Sequence, residues 1–300
     1  MGLDPLKAGP IRETSYSKAV PIMPDPQGKT GRRGSFFPGD LGKGYDPAFF
    51  PAHFHRDNGH FWFRSRNRIL DGLVKQITLE MAPGYRVLEV GCGVGTALRM
   101  LHESCDRGRV FGMDLFGDGL KFASRQTLCP LVQGEISRPP FKGRFDLICL
   151  LDVLEHVEND VQAIDNLRHL LKDGGYLLVT VPAHPYLWSY ADDISCHHRR
   201  YEPEAVEKKI AESGYRVSYC TEFMVSSYPL VRLGRRLANG WIKITGGEEK
   251  AKKRLVGAEL YPIPVLNGLL TFLLSLEKHW IVNRRHLPKG TSILILARKE

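Results

Sequence analysis

From residue 84 to residue 223 this chain alternates short apolar runs with amphipathic ones, and that alternation restricts the available folds more than any other feature. YRVLEVG, RVFGMDL, LCPLVQGE, RFDLICLLDVL, GYLLVTVP and YRVSYCTEF read as short buried strands, whereas TALRMLHES, FGDGLKFASRQ and PEAVEKKIAES read as helices. A further helix is predicted where Val157, Val161, Ile164, Leu167 and Leu171 recur at three- and four-residue steps. Asn159 or Asp160 is its predicted N-cap and Gly174-Gly175 its stop. Strands separated by helices need crossovers, which imply a mostly parallel, doubly wound sheet. Such sheets bind ligands at the carboxyl ends of their strands.

The rest of the chain frames this core. Residues 1–45 combine Pro, Gly, Lys and Arg without a helical or strand period, as expected of a disordered or extended arm. Residues 46–82 place Phe61, Ile69, Leu73, Val74 and Ile77 at helical spacing, predicting an N-terminal helical cap before a core at 83–224. GTSILILARKE, within 289–300, reads as a final core strand, and the intervening 225–288 is long enough to form a lid over the site. That insert is basic and apolar. YPLVRLGRRLANGWIKI carries Arg232, Arg235, Arg236 and Lys243, and PIPVLNGLLTFLLSLEKHWIV leaves only a narrow polar stripe through Asn267, Thr271, Ser275 and Lys278. No internal repeat is apparent.

Composition narrows the partners. The formal charge of +9 draws phosphates, anionic lipid or acidic substrates without dictating a fold. The six cysteines (Cys92, Cys105, Cys129, Cys149, Cys196, Cys220) show no metal-ligand spacing, so free thiols are expected, with neither a disulfide framework nor a zinc site. No window carries the ~18 uncharged apolar residues of a spanning helix, and no secretory signal opens the chain, so a cytoplasmic location is expected.

The decisive stretch is VLEVGCGVGTAL, residues 87–98, a strand that runs into a glycine loop. A dinucleotide site needs G-x-G-x-x-G to seat a pyrophosphate on helix amides. Here the glycines are Gly91, Gly93 and Gly95, Thr96 stands where the third dinucleotide glycine would be, and Glu89 precedes them. A carboxylate there repels a pyrophosphate by several kcal/mol in a poorly solvated cleft and favours a ligand with positive charge. S-adenosylmethionine meets that description: it has no phosphate, carries an ammonium and a sulfonium, and needs close approach over glycines.

At this point the sequence resembles the class I SAM-dependent methyltransferases, and among them the bacterial group with an EHV-type motif after the fourth strand. The likeness covers roughly residues 55–225 and, more weakly, the last strand. It implies a Rossmann-like α/β fold, a doubly wound seven-stranded sheet, mostly parallel with the last strand antiparallel, bearing the cap and the helical lid insert. It implies that Asp114 and the adjoining Leu115 at the end of the second strand serve the ribose, an acid that NAD enzymes share. Glu135, after the third strand, takes the place of the family's usual aspartate near the adenine amino group. Leu151 and Asp152 end the fourth strand, and LDVLEHVEND resembles the segment that lines cofactor and acceptor. HFWFRSRN resembles the family's entry helix, making Trp62 and Arg66 candidates for closing over the methionyl end.

Methyl transfer to oxygen benefits from a base near neutral pH, and histidine is the natural choice. The candidates are His156 and the segment HPYLWSYADDISCHHRRYEPEA, with Asp192, Asp193, His197, His198, Arg199, Arg200 and Tyr201; it resembles the family's D…H-x-R-R-Y stretch. His156, His198 and Tyr201 are the expected catalytic residues. One acid and one His at loop distance make at most half a metal site, so no metal is expected. Enzymes acting on exocyclic base amines carry [DN]-P-P-[YF] where this chain reads LDVL. C5-pyrimidine chemistry needs a cysteine near the strand end, and neither Cys149 nor Cys129 is so placed. Nucleic acid is therefore not expected; a small molecule, glycan or lipid-linked acceptor is. For residues 228–285 an ordinary helical lid with its apolar faces packed on the core is the first expectation, and peripheral membrane contact the alternative. Other SAM chemistry (intramolecular displacement, aminocarboxypropyl transfer), a non-catalytic SAM-binding protein and an NAD-dependent oxidoreductase remain alternatives.

Overall fold

A computed structural model describes residues 59–244, 252, 255 and 264–300. The expected arm at 1–45, the start of the cap and the middle of the insert lie outside the described residues. Seven strands build one sheet: β1 (Arg86–Val90), β2 (Arg109–Asp114), β3 (Leu131–Gln133), β4 (Phe145–Leu151), β5 (Leu171–Pro182), β6 (Tyr215–Phe223) and β7 (Ser292–Lys299). Their order is β3-β2-β1-β4-β5-β7-β6. All neighbours pair in parallel except β7, which runs antiparallel to both β5 and β6. The chain leaves β1 toward β2 on one side and returns to β4 on the other, so a crevice opens at the carboxyl ends of β1 and β4.

Period-two alternation explains why both faces of the sheet are covered. Val87, Leu147, Cys149 and Leu178 pack on one face against α1 (Phe61–Leu79), α2 (Thr96–Ser104) and α3 (Gly117–Gln126), through Leu73, Leu98 and Leu120. Leu88, Ile148, Leu150 and Val179 pack on the other against α4 (Asp160–Leu170) and α6 (Pro203–Glu212), through Ile164 and Ile210. Between them a short helix, α5 (Tyr190–Ile194), follows β5.

The helix before β5 departs from its predicted limits. Asn159 is the N-cap, its Oδ1 accepting from Gln162 N at 3.1 Å, but Val157 lies outside the helix and Val161 is exposed. Leu171 is the first residue of β5 and pairs with Phe145, while Tyr176 pairs with Leu147, so Lys172–Gly175 bulge out of the ladder. Gly174, at φ +72°, makes that bulge rather than a helix stop. Leu171 thus stays buried by joining the sheet, a tertiary gain that helical periodicity alone does not register.

The insert after β6 divides in two. A 3-10 turn at Val225–Ser227 leads into α7 (Tyr228–Ile244), while α8 (Pro264–Val282) packs along α1. Asn267 Oδ1 accepts from Phe61 N at 2.7 Å and its Nδ2 donates to Gly59 O at 3.0 Å. Lys278 Nζ reaches Asp71 at 3.0 Å, and Arg68 donates to Ser275 Oγ at 2.9 Å. The carboxylate of Glu277 accepts from the backbone N–H groups of Met224, Val225 and Ser226. The polar stripe read from the sequence therefore faces inward and ties the insert to the cap helix.

Asn267→Ala removes the partner of the first amide of α1 and of the Gly59 carbonyl. It is expected to lower the unfolding free energy by roughly 1–2 kcal/mol, seen as a lower urea midpoint with an unchanged slope.

Candidate active site at the ends of strands β1 and β4

A cavity of about 510 Å³ lies at the switch between β1 and β4. Its walls include Trp62 and Arg66 from α1, Glu89, Gly91 and Gly93 from the glycine loop, and Asp114, Leu115 and Glu135 beyond β2 and β3. Leu151 from β4, the adjoining Asp152, His156, Ser227 of the 3-10 turn, and Val231 and Arg235 of α7 complete this part of the lining.

The three glycines do different things. Each has positive φ (73°, 50° and 88° for Gly91, Gly93 and Gly95), a conformation other residues adopt only at a cost. A Cβ on Gly91 would meet Val153 at 2.4 Å, whereas a Cβ on Gly93 would meet nothing within 4 Å, so Gly93 faces open space. Gly95 does not line the cavity. It is the N-cap of α2, where a Cβ would lie 2.8 Å from the Cα of Ala123, so it lets α2 approach α3. The loop is held from below by Asp114, whose Oδ2 accepts from Gly93 N at 2.7 Å and Oδ1 from Phe116 N at 2.8 Å.

Acids and a guanidinium converge behind the loop. Arg66 pairs with Asp152, stacks over Trp62 with its Cζ 5.0 Å from the ring centroid, and lies near Glu89. Asp152 sits at φ +56°, a strained conformation for a non-glycine residue, held by this pair and by its N–H donating to Thr180 O at 2.9 Å. Glu89 is buried with Oε2 lacking a hydrogen-bond partner. Burial raises its carboxyl to about 8; the nearby Arg66 pulls downward and Asp114 pushes further up. A charged Glu89, expected from its place before the glycines, is not what burial permits. With its carboxyl raised so far, Glu89 holds its proton at neutral pH, and a cation placed beside it would drive ionisation.

The acceptor-side residues are partly rearranged relative to expectation. His156, in the 3-10 turn Leu154–His156, lines the cavity, but burial and the neighbouring His197 and His198 depress it to about 3, so it is neutral and weakly basic. His198 is exposed and outside the lining; its backbone N–H donates to Glu155 O at 2.8 Å. Tyr201 is also outside. Its hydroxyl donates to Asp160 Oδ2 at 2.8 Å, and burial raises its pKa, which removes it as a base. The residue that takes their place is His197, adjacent to the expected one, with Nδ1 2.9 Å from Asp192 Oδ1 and its ring 4.7 Å from that of His156.

Asp192 organises this corner. It closes a capping box with Ser189 at the start of α5 and receives Arg200 Nε at 2.7 Å, with Arg235 at 3.5 Å. Burial works against its charge, but the His197 hydrogen bond and the positive Arg200 and Arg235 hold it at about 2. An ionised Asp192 makes His197 Nδ1 the donor and leaves Nε2 as an acceptor. Glu155, fully buried with Oε2 lacking a hydrogen-bond partner, is pushed well up by burial and by Asp152. Glu155, His156 and His197 bring ligand atoms within 4.8 Å of one another, a set that could hold a divalent cation. The sequence showed one His and one acid; folding supplies the third donor. No spacing rule separates His197 from His198, because the loop's path decides which ring turns inward.

A model for the family described as a methyltransferase domain matches residues 54–219. An uncharacterized 37.1 kDa protein in a Streptomyces fradiae transposon is 34% identical over 110 residues, 35% of this chain and 32% of that protein. A ubiquinone biosynthesis O-methyltransferase of Shewanella pealeana is 32% identical over 103 residues, 31% of this chain and 42% of the enzyme. The chain therefore spans less than half the length of either curated relative. A putative methyltransferase of Haloferax volcanii, solved with the Trm112 methyltransferase activator, superposes with a TM-score of 0.52 at 15% identity, covering 84% of this chain and 96% of that one. That likeness is one of fold.

The buried Glu89 makes stability depend on pH. An acid whose folded pKa lies above its unfolded value binds an extra proton in the folded state. Its contribution is complete below the ordinary glutamate value of 4.5 and is lost as pH rises through about 8. The protein without ligand is expected to lose roughly 4 kcal/mol more than Glu89→Gln between pH 5 and pH 9, measured by urea unfolding across that range.

Proposed function

This chain belongs to the methyltransferase-domain family, and from that premise we propose that it transfers a methyl group from S-adenosyl-L-methionine to a small-molecule or lipid-linked acceptor. The observation that carries this reading is one continuous cavity, lined both by the glycine loop with its acids and by the His156/His197 pair. The residues fit the cofactor on three counts. Gly93 leaves open space above the loop, Asp114 has carboxylate oxygens at the end of β2, and Glu89 presents a buried oxygen that a cationic ligand would satisfy. Bound there, the cofactor supplies a methyl carbon already activated by its sulfonium.

In this reading Trp62, Arg66, Glu89, Gly91, Gly93, Asp114, Leu115, Glu135 and Leu151 hold the cofactor, with Gly95 setting the approach of α2. The protein's main contribution is alignment, which can supply up to roughly 7–11 kcal/mol. For a hydroxyl acceptor, His197 Nε2 takes the acceptor proton, and Asp192 stabilises the resulting imidazolium through Nδ1–H. Neutral His156, packed edge-on against that ring, orients the acceptor rather than deprotonating it. A divalent cation on Glu155, His156 and His197 is the second reading, favoured by the partnerless buried oxygen of Glu155; it would bind and acidify the acceptor hydroxyl instead. The six free cysteines suit a reducing compartment, which supports a cytoplasmic place of work.

Calorimetry with S-adenosylhomocysteine and with NAD tests the cofactor assignment directly; tight binding of NAD alone would overturn it. Asp114→Ala is expected to weaken S-adenosylhomocysteine by roughly 1.5–3 kcal/mol. His197→Ala should leave that affinity unchanged while slowing formation of S-adenosylhomocysteine from a phenolic acceptor by roughly 10²–10⁴-fold. Loss of turnover in EDTA, restored by a divalent ion, would assign His197 to a metal instead.

A further inference from the structure

The helices between β6 and β7 carry their large apolar side chains on the outside. Along α7, Leu230, Leu233, Leu237, Trp241 and Ile244 are exposed, Leu237 by 65% and Ile244 by 87%. They recur every three or four residues and so form one stripe, about 21 Å long at 1.5 Å per residue. The opposite side of the same helix turns Val231 and Arg235 into the cavity.

α8 has no polar face turned to water. Its buried side is mixed, with Leu270, Leu274 and Ile281 beside Asn267, Thr271 and Glu277, whereas Val265, Leu269, Phe272, Leu276 and Trp280 are exposed. A surface helix in water normally turns a polar face outward. Both helices adjoin the 3-10 turn Val225–Ser227, so their apolar surfaces belong to one region of the molecule. Scattered exposed apolar residues are ordinary, but two whole stripes mark an interaction surface.

We propose that the outer faces of α7 and α8 form a docking surface for an anionic phospholipid bilayer, on which the protein rests without spanning it. This goes beyond the methyltransferase reading and does not depend on it. Charge selects the partner: residues 228–244 contain no Asp or Glu, and exposed Arg232 and Arg236 run along one side of the α7 stripe. An apolar stripe bordered by arginines fits the boundary between acyl chains and anionic headgroups. A second copy docked by the same face would bring those arginines against like charge.

α8 is long and apolar enough to cross a membrane by length and composition, but its inner face is committed elsewhere. Spanning would strip Lys278 from Asp71 and Glu277 from the three amides it caps, leaving charges in hydrocarbon. Lying flat keeps those bonds and covers only the exposed stripe. Since α7 also walls the cavity, a leaflet-resident amphiphile would sit one helix away from His156 and His197.

The test is co-sedimentation of the full chain with vesicles of phosphatidylcholine, with and without phosphatidylglycerol, at low and high salt. Binding is expected to the anionic vesicles only and to fall as salt rises. Arg232→Ala combined with Arg236→Ala should weaken partitioning roughly thirtyfold. Leu233→Glu with Leu237→Glu, and separately Phe272→Glu with Leu276→Glu, should each weaken it at least tenfold, with thermal unfolding and S-adenosylhomocysteine affinity unchanged. The wild-type measurement needs no variant to fold. No binding at low salt, or equal binding by the charged variants, overturns the proposal. So does a dimer, seen by light scattering without vesicles, that the glutamate variants render monomeric.

Discussion

The ion pair between Arg66 and Asp152 is the contact on which the site depends. It joins a helix near the start of the described chain to the strained turn that ends β4, and it does so beside the buried acid of β1. Charges in so poorly solvated a place must be matched or neutralised. Arg66 and Asp152 match each other, and Glu89 is neutralised by its proton. Glu89 is thus a group that a cation placed beside it would ionise.

That arrangement needs support from residues far along the chain. α1 alone would have one apolar face and no reason to lie over the crevice. α8 fixes it through Asn267 at its first turn and Lys278 further along, while Glu277 anchors the turn from which α7 departs. The insert between β6 and β7 therefore acts at both ends of the cavity: α8 steadies the helix that carries Arg66, and α7 brings Arg235 to Asp192. Asp192 in turn holds His197 in the orientation from which it can accept a proton. Segments some two hundred residues apart in sequence share one electrostatic network.

Much of this was legible from residue order. The strand and helix alternation led to the mostly parallel sheet, the family resemblance to its antiparallel last strand, and the glycines to the crevice at the ends of β1 and β4. Asp114, placed by its position at a strand end, lies beneath Gly93. The misreadings have a common origin. Leu171 fitted a helical period but is buried by pairing with Phe145. Gly95 fitted a glycine cradle but serves helix packing against Ala123. His198 and Tyr201 fitted a catalytic motif, yet one ring is exposed and the other hydroxyl is tied to Asp160. In each case local pattern was right about the residue type and silent about direction.

Sequence by itself determined the fold class and the identity of the cofactor end, because strand periodicity, positive-φ glycines and an acid at a strand end are constraints carried within a few consecutive residues. Only the tertiary structure decided the ionisation of Glu89, the inward turn of His197 and the outward turn of the apolar stripes on α7 and α8. Those properties arise from burial and from partners distant in the chain, and neither desolvation nor the direction of a side chain is written in local order.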